Sequence, residues 1–130
     1  MRRQIVQTSG APAAIGPYSQ AVLVEGGRTL YVSGQIALDP ATGAIVGDGD
    51  IRLQTARVLA NLGAILGAAG MGFGNIVKAG IFLTDMADFA VVNELYGACF
   101  DSEPPARATI AVAGLPKGVL VEIDAVAVGK

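Results

Sequence analysis

Two side chains of opposite charge, Arg107 and Glu122, stand in alternating apolar stretches near the end of the chain. A guanidinium can hold a carboxylate through two parallel hydrogen bonds. A carboxylate can in turn accept a proton from a water molecule. The pair therefore predicts either a site where Arg107 binds a carboxylate and Glu122 handles a proton or a water molecule, or an interface salt bridge that fixes register or assembly. The residues alone favour neither reading.

The elements that carry this pair are predicted to be two strands of a hairpin, within residues 104–128, joined by the turn 114–118. Each strand has one apolar face, with Ile110 on the first and Ile123 on the second. If both apolar faces meet one core, the polar side chains share the opposite, open face of the sheet. That open-face set is Arg107, Thr109, Glu122 and Asp124.

Earlier segments complete an α+β pattern. Asp50 is suited to cap a helix whose apolar residues recur at helical spacing as far as Ala69. The uncharged stretch 58–77 is better explained by this amphipathic helix and a turn that follows it than by a membrane span. The stretch 75–84 reads as a strand. Gly26 and Gly27 predict a hairpin turn that pairs Leu23 with Leu30.

A short extended piece is expected at 44–46 and a second helix after Asp88, with Cys99 packed on its apolar stripe. The predicted order is β-β-(β)-α-β-α-β-β in a single domain, 1–130, with both helices on one sheet face. Hydrophobic residues make up 52% of the chain and charged residues 15%. The bare sheet face is therefore expected to be covered by other copies of the chain.

Composition excludes several classes of function. The chain has no histidine, so histidine-based nucleophilic catalysis and histidine metal sites are not expected. Its net charge is −2 and its basic residues are scattered, which argues against nucleic acid as a partner. A single cysteine and the lack of an apolar signal segment predict a reducing, cytoplasmic location without membrane contact.

Four stretches in order resemble the RidA (YjgF/YER057c/UK114) family along nearly the whole chain. They are AAIGPY at 13–18, SGQI at 33–36, DFAVVN at 88–93, and PAR at 105–107 followed by LPK at 115–117 and VEI at 121–123. The resemblance implies a chorismate-mutase-like fold and a homotrimer with three clefts between subunits. It also implies a cofactor-free, metal-free deaminase that hydrolyses reactive 2-imino and enamine acids, such as 2-aminoacrylate and 2-iminobutanoate, to 2-oxo acids and ammonia.

By the same resemblance, Arg107 binds the substrate carboxylate and Glu122 supports the water and proton step. The other substrate-binding positions are Tyr18, Ser33, Gly34, Asn93 and Thr109. Thr109 stands where many relatives carry a cysteine, so thiol chemistry is not expected there. Two alternatives remain open: a non-catalytic trimer that binds small carboxylates or partner proteins, and an endoribonuclease or translation inhibitor, which the lack of histidine disfavours.

Overall fold

The computed structural model describes residues 1–130. Six strands and two helices follow one another along the chain. They are β1 (Arg2–Val6), β2 (Ala21–Glu25), β3 (Arg28–Gln35), α1 (Ile51–Ala68), β4 (Ile76–Leu83), α2 (Phe89–Gly97), β5 (Ala106–Ala111) and β6 (Val121–Gly129). Single 3₁₀ turns precede β4, α2 and β6.

The main sheet has four strands in the order β3-β6-β4-β5. β6 is antiparallel to both β3 and β4, and β5 runs parallel to β4 at the edge. Both helices pack on one face, where Leu62, Tyr96 and Ile123 are fully buried. The α+β class and the placement of both helices on one face are confirmed. β1 and β2 form a separate antiparallel ribbon.

The first helix begins and ends as predicted. The Asp50 side chain accepts a hydrogen bond from Leu53 N at 3.0 Å, which satisfies one of the free amides of the first turn. Just past the other end, Gly70 adopts a φ of +71°, a conformation that glycine reaches without steric cost. No helix in the structure is long and apolar enough to cross a membrane.

A buried glutamine connects α1 to the start of β6. Gln54 is fully buried; its Oε1 accepts from Leu120 N at 2.8 Å and its Nε2 donates to Gly47 O at 3.1 Å. Gln54→Leu keeps the volume but leaves that amide and that carbonyl without partners. We expect it to lower the free energy of unfolding by about 1–3 kcal/mol, measured by urea denaturation. Unchanged stability would mean that water replaces both bonds.

The predicted C-terminal hairpin is wrong. β5 and β6 are not neighbours, because β4 lies between them and pairs with both. The sequence gives no local sign of this, since a segment of 9 residues between two strands is short enough to suggest a direct hairpin. The parallel partner of β5 comes from residues 76–83, a pairing that only the tertiary fold provides.

The N-terminal half also differs from the prediction. Gly26 and Gly27 have φ values of +73° and +86°, as the predicted turn requires. However, β2 pairs with β1 and β3 pairs with β6, so Leu23 and Leu30 are not partners. β1 was not predicted at all, and the short extended piece at 44–46 contributes only the isolated bridge of Ile45 with Leu38.

Candidate functional site

Arg107 and Glu122 lie on opposite faces of the main sheet, which corrects the prediction that they share the open face. On β5, Arg107 is in register with Ala79, whose side chain belongs to the core under the helices. On β6, Glu122 alternates with the fully buried Val121 and Ile123 and therefore points away from that core. Within one chain the two charged groups cannot meet.

The error concerns which face of β5 meets the core. The face of β5 that is apolar in sequence carries Ile110, which is 47% exposed on the open side. The face that carries Arg107 and Thr109 turns toward the helices instead. The register of β5 against β4 decides which face joins the core, and the alternation of residues within β5 does not reveal that register.

Arg107 is surrounded by a cluster of four side chains, Tyr18, Phe89, Asn93 and Tyr96, and we call this cluster together with Arg107 the Arg107 pocket. Its Nη1 donates to Asn93 Oδ1 at 2.6 Å. Its Cζ lies 5.3 Å from the centroids of the Tyr18 and Tyr96 rings and 5.8 Å from that of Phe89. These distances fall within the range in which aromatic rings attract a cation.

Helix α2 supplies three of the groups in this pocket. Phe89, Asn93 and Tyr96 are spaced by four and three residues, which places them on one side of the helix. The sequence prediction assigned Phe89 and Tyr96 only to the apolar stripe and missed their contact with Arg107. A polar Asn93 between two aromatic residues on that stripe was the available signal, since a polar side chain there needs a partner.

The fourth group, Tyr18, is held in place by the loop before β2. Ser19 N donates to Pro105 O at 3.0 Å, and the Ser19 hydroxyl donates to Pro104 O, so the loop is attached directly to the start of β5. Tyr18 Oη accepts a hydrogen bond from Ile15 N at 3.3 Å. A Cβ on Gly16 would lie 3.8 Å from Arg107 Nη2, which shows how closely the backbone approaches the guanidinium.

No carboxylate neutralises Arg107. The ion pairs of the chain are Arg2 with Glu25, Arg3 with Glu103, and Arg52 with Glu94. Burial lowers the pKa of the Arg107 guanidinium, while the phenols of Tyr96 and Tyr18 oppose that shift. A half-buried cation that has neutral neighbours and no counter-ion is suited to bind an anion from outside the chain.

The second set of predicted residues is gathered on the open face, and we call Ser33, Gly34 and Glu122 the Glu122 platform. The register of the β3–β6 pair shifts between Val32 and Gln35, so β3 has one extra residue at Ser33 and Gly34, which is a β-bulge. A Cβ on Gly34 would overlap Glu122 Oε2, so a larger residue at this position would displace the carboxylate from its present place. Ser33 and Gly34 are both exposed.

The remaining candidates are placed as follows. Thr109 follows Arg107 on the helix side of β5, where its Oγ1 is buried without a hydrogen-bond partner. Asp124 shares the open face with Glu122, and a Cβ on Gly80 would lie 2.5 Å from its Oδ1.

Cys99 packs against the core, and burial raises the pKa of its thiol, so it is no reactive thiolate. No group of three or more acidic or cysteine side chains is placed to share a metal ion.

Comparisons with known proteins agree with this arrangement of the fold. The family model described as endoribonuclease L-PSP matches residues 8–129. Protein DfrA of Myxococcus xanthus is 54% identical over 128 residues, covering 98% of this chain and 97% of the relative. The 2-iminobutanoate/2-iminopropanoate deaminase of Bos taurus is 53% identical over 126 residues, covering 97% of this chain and 90% of the relative.

Among solved structures, Escherichia coli TdcF with bound serine is 43% identical and superposes with a TM-score of 0.74, covering 98% of this chain and 99% of TdcF. The matches of sequence and of structure thus both extend over almost the full length of the chain. The protein belongs to the endoribonuclease L-PSP family, which is the RidA (YjgF) family.

Proposed function

We propose that the protein is a hydrolytic deaminase of reactive 2-imino and enamine acids, acting as a homotrimer with its sites between subunits. Its substrates are small acids of the type of 2-aminoacrylate and 2-iminobutanoate, and its products are 2-oxo acids and ammonia. The observation that carries the proposal is Arg107, a half-buried guanidinium held only by neutral groups. The relatives named 2-iminobutanoate/2-iminopropanoate deaminase support the choice of reaction.

The chemistry needs few groups because the carbon of an imine is already electrophilic. Arg107 binds the substrate carboxylate with the guanidinium hydrogens that Asn93 leaves free. Glu122 accepts a proton from water as the water oxygen adds to the carbon of the imine, whose nitrogen is protonated, and the product is a tetrahedral amino alcohol. Glu122 then returns this proton to the nitrogen and accepts the proton of the hydroxyl group, so that the carbon–nitrogen bond breaks, ammonia leaves and the carbonyl forms. Acid–base assistance of this kind contributes about 10²–10⁴-fold.

The opposite placement of the two charged groups supports a site shared by two subunits. Arg107 can approach Glu122 only if the Arg107 pocket of one copy meets the open face of another. Such a contact joins two different surfaces, and contacts of this type close into rings such as trimers. The open face is suited to burial, since it exposes Tyr31 by 78% and Ile110 by 47%.

A second candidate is a trimer that binds small carboxylates without converting them. It is favoured by the same cation pocket, and the structure of TdcF with bound serine supports the binding of an amino acid in this family. The two candidates differ in only one respect, which is whether a bound imino acid is hydrolysed faster than it is in water. The predicted cytoplasmic location remains a prediction under either candidate.

The test measures 2-oxo acid released from freshly generated 2-iminopropanoate and 2-iminobutanoate, after subtraction of spontaneous hydrolysis. We expect a rate proportional to protein concentration, and a mass by light scattering of three times the 13.1 kDa of one chain. Release at the spontaneous rate, together with measurable binding of a small carboxylate, would favour the binding protein. A monomer mass at micromolar concentration would refute the shared site.

A further inference from the structure

Ser19 is one of three buried polar residues in the chain, and it is the one that lies outside a helix. Its hydroxyl donates to Pro104 O, and its backbone amide donates to Pro105 O at 3.0 Å. The first of these bonds joins residues that are 85 positions apart in the chain. One residue thus holds two distant backbone segments together through two hydrogen bonds.

The two segments carry two facing parts of the Arg107 pocket. Tyr18 immediately precedes Ser19, and the centroid of its ring lies 5.3 Å from Arg107 Cζ. Pro105 is buried and stands directly before β5, two residues from Arg107. Because each bonded group is so close in the chain to one member of the pair, the Ser19 bonds control how closely the Tyr18 ring approaches the guanidinium.

Little else attaches the Tyr18 loop to the rest of the molecule. Residues 7–16 are all exposed. The Gln20 side chain forms its hydrogen bonds within this loop, with the backbone of residues 8–12. Pro17 packs against the last residue of α2, but an apolar contact of this kind has no preferred direction. The directional attachment of the loop to β5 therefore comes from Ser19.

We propose that Ser19 is a positioning residue, whose hydroxyl holds the Tyr18 ring against the Arg107 guanidinium and so orders that guanidinium for the carboxylate of the ligand. This role rests on the proposed function, because it presumes that Arg107 binds a carboxylate. Ser19 is only 8% exposed, and its effect on binding passes through Tyr18. A guanidinium that is already ordered loses less conformational freedom when the ligand binds.

The test is Ser19→Ala, which removes the hydroxyl and keeps the backbone bond to Pro105. We expect Kd for 2-oxobutanoate, measured by calorimetry, and KM for 2-imino acids to rise about three- to tenfold, as for the ordering of one mobile side chain on binding. The value of kcat should change less than about twofold, because Glu122 is unaffected. The thermal midpoint should fall, since the Pro104 carbonyl loses its partner.

Thr55→Val is the matched control. Thr55 is also buried, and its hydroxyl donates to Ile51 O at 2.7 Å within α1. This variant therefore also removes a buried hydroxyl that donates to a backbone carbonyl, and we expect it to keep the wild-type Kd and KM. An equal rise of Kd in Thr55→Val and in Ser19→Ala would overturn the proposal.

Ser19→Cys is a second variant, which serves as the test if Ser19→Ala does not fold. It nearly keeps the size of the side chain and replaces a strong hydrogen-bond donor by a weak one. We expect its Kd for 2-oxobutanoate to lie between those of the wild type and of Ser19→Ala. A wild-type Kd in the folded Ser19 variants, with hydrolysis of 2-imino acids intact, would overturn the proposal and leave the proposed function standing.

A double-mutant cycle tests the route through Tyr18. If Ser19 acts through that ring, Ser19→Ala should raise Kd for 2-oxobutanoate much less in a Tyr18→Ala background than in the wild type. An equal rise in both backgrounds would contradict this role. If the wild type neither hydrolyses 2-imino acids nor binds 2-oxobutanoate, the proposed function fails and the role of Ser19 fails with it.

Discussion

Arg107→Lys is expected to remain a folded trimer and to hydrolyse 2-imino acids at least about 30-fold more slowly than the wild type. Lysine keeps the charge but loses the planar fork that can contact Asn93 and a carboxylate at the same time. Loss of one partner from a desolvated, hydrogen-bonded charge pair costs about 2–5 kcal/mol. The lower end of that range, about 2 kcal/mol, corresponds to the expected rate decrease of about 30-fold.

The measurement is kcat/KM for 2-oxo acid release and native mass on the same preparation. Arg57→Lys is a matched control, since Arg57 is also half-buried and its Nε donates to Asn61 Oδ1 at 3.0 Å on α1, away from the Arg107 pocket. We expect the control to keep wild-type activity. Wild-type rates in a folded Arg107→Lys protein would contradict the anchoring role. Dissociation into monomers would instead indicate that Arg107 serves assembly.

The parts of the fold that depend on local signals could be predicted from the sequence. Helix α1 begins after the Asp50 cap and ends before Gly70, because capping groups and positive-φ glycines act within a few residues of the helix end. The positive φ values of Gly26 and Gly27 were predicted for the same reason, although the strands on either side do not pair with each other. These features depend on residues that are close together in the chain, so the local sequence is enough to predict them.

Strand pairing could not be predicted in this way. β5 pairs with β4 in parallel, which requires the chain to pass over the sheet through α2 before it returns. The apolar alternation of β5 shows that it has two different faces, but not which of them meets the core. The prediction chose the apolar face, and the inverted placement of Arg107 followed from that choice.

The structure places the predicted site residues in two groups, and their arrangement within one chain differs from the prediction. The resemblance selected Tyr18, Asn93 and Arg107, which the structure brings together, and also Gly34 and Glu122, which it brings together elsewhere. No spacing in the sequence shows that the two sets lie on opposite faces. That separation is a property of the sheet order β3-β6-β4-β5.

The separation leads to a second large expected effect, which is complementation between two inactive variants. Arg107→Lys impairs the Arg107 pocket and leaves the Glu122 platform intact, whereas Glu122→Gln keeps the shape of the platform and loses the proton acceptor. Each pure trimer is expected to be strongly impaired, the second by about 10²–10⁴-fold. Trimers refolded from an equal mixture should contain some clefts that combine an intact Arg107 with an intact Glu122.

If each cleft draws Arg107 from one subunit and Glu122 from the next, random assembly makes about one cleft in four fully intact. Activity of the co-refolded mixture should therefore recover to about a quarter of the wild-type value. The two variants mixed as preformed trimers are the control, and they should stay inactive because their subunits have not exchanged. If both charged groups of a working site came from the same subunit, co-refolding would restore nothing. The recovered fraction thus tests directly whether the two faces of the sheet meet across a subunit boundary.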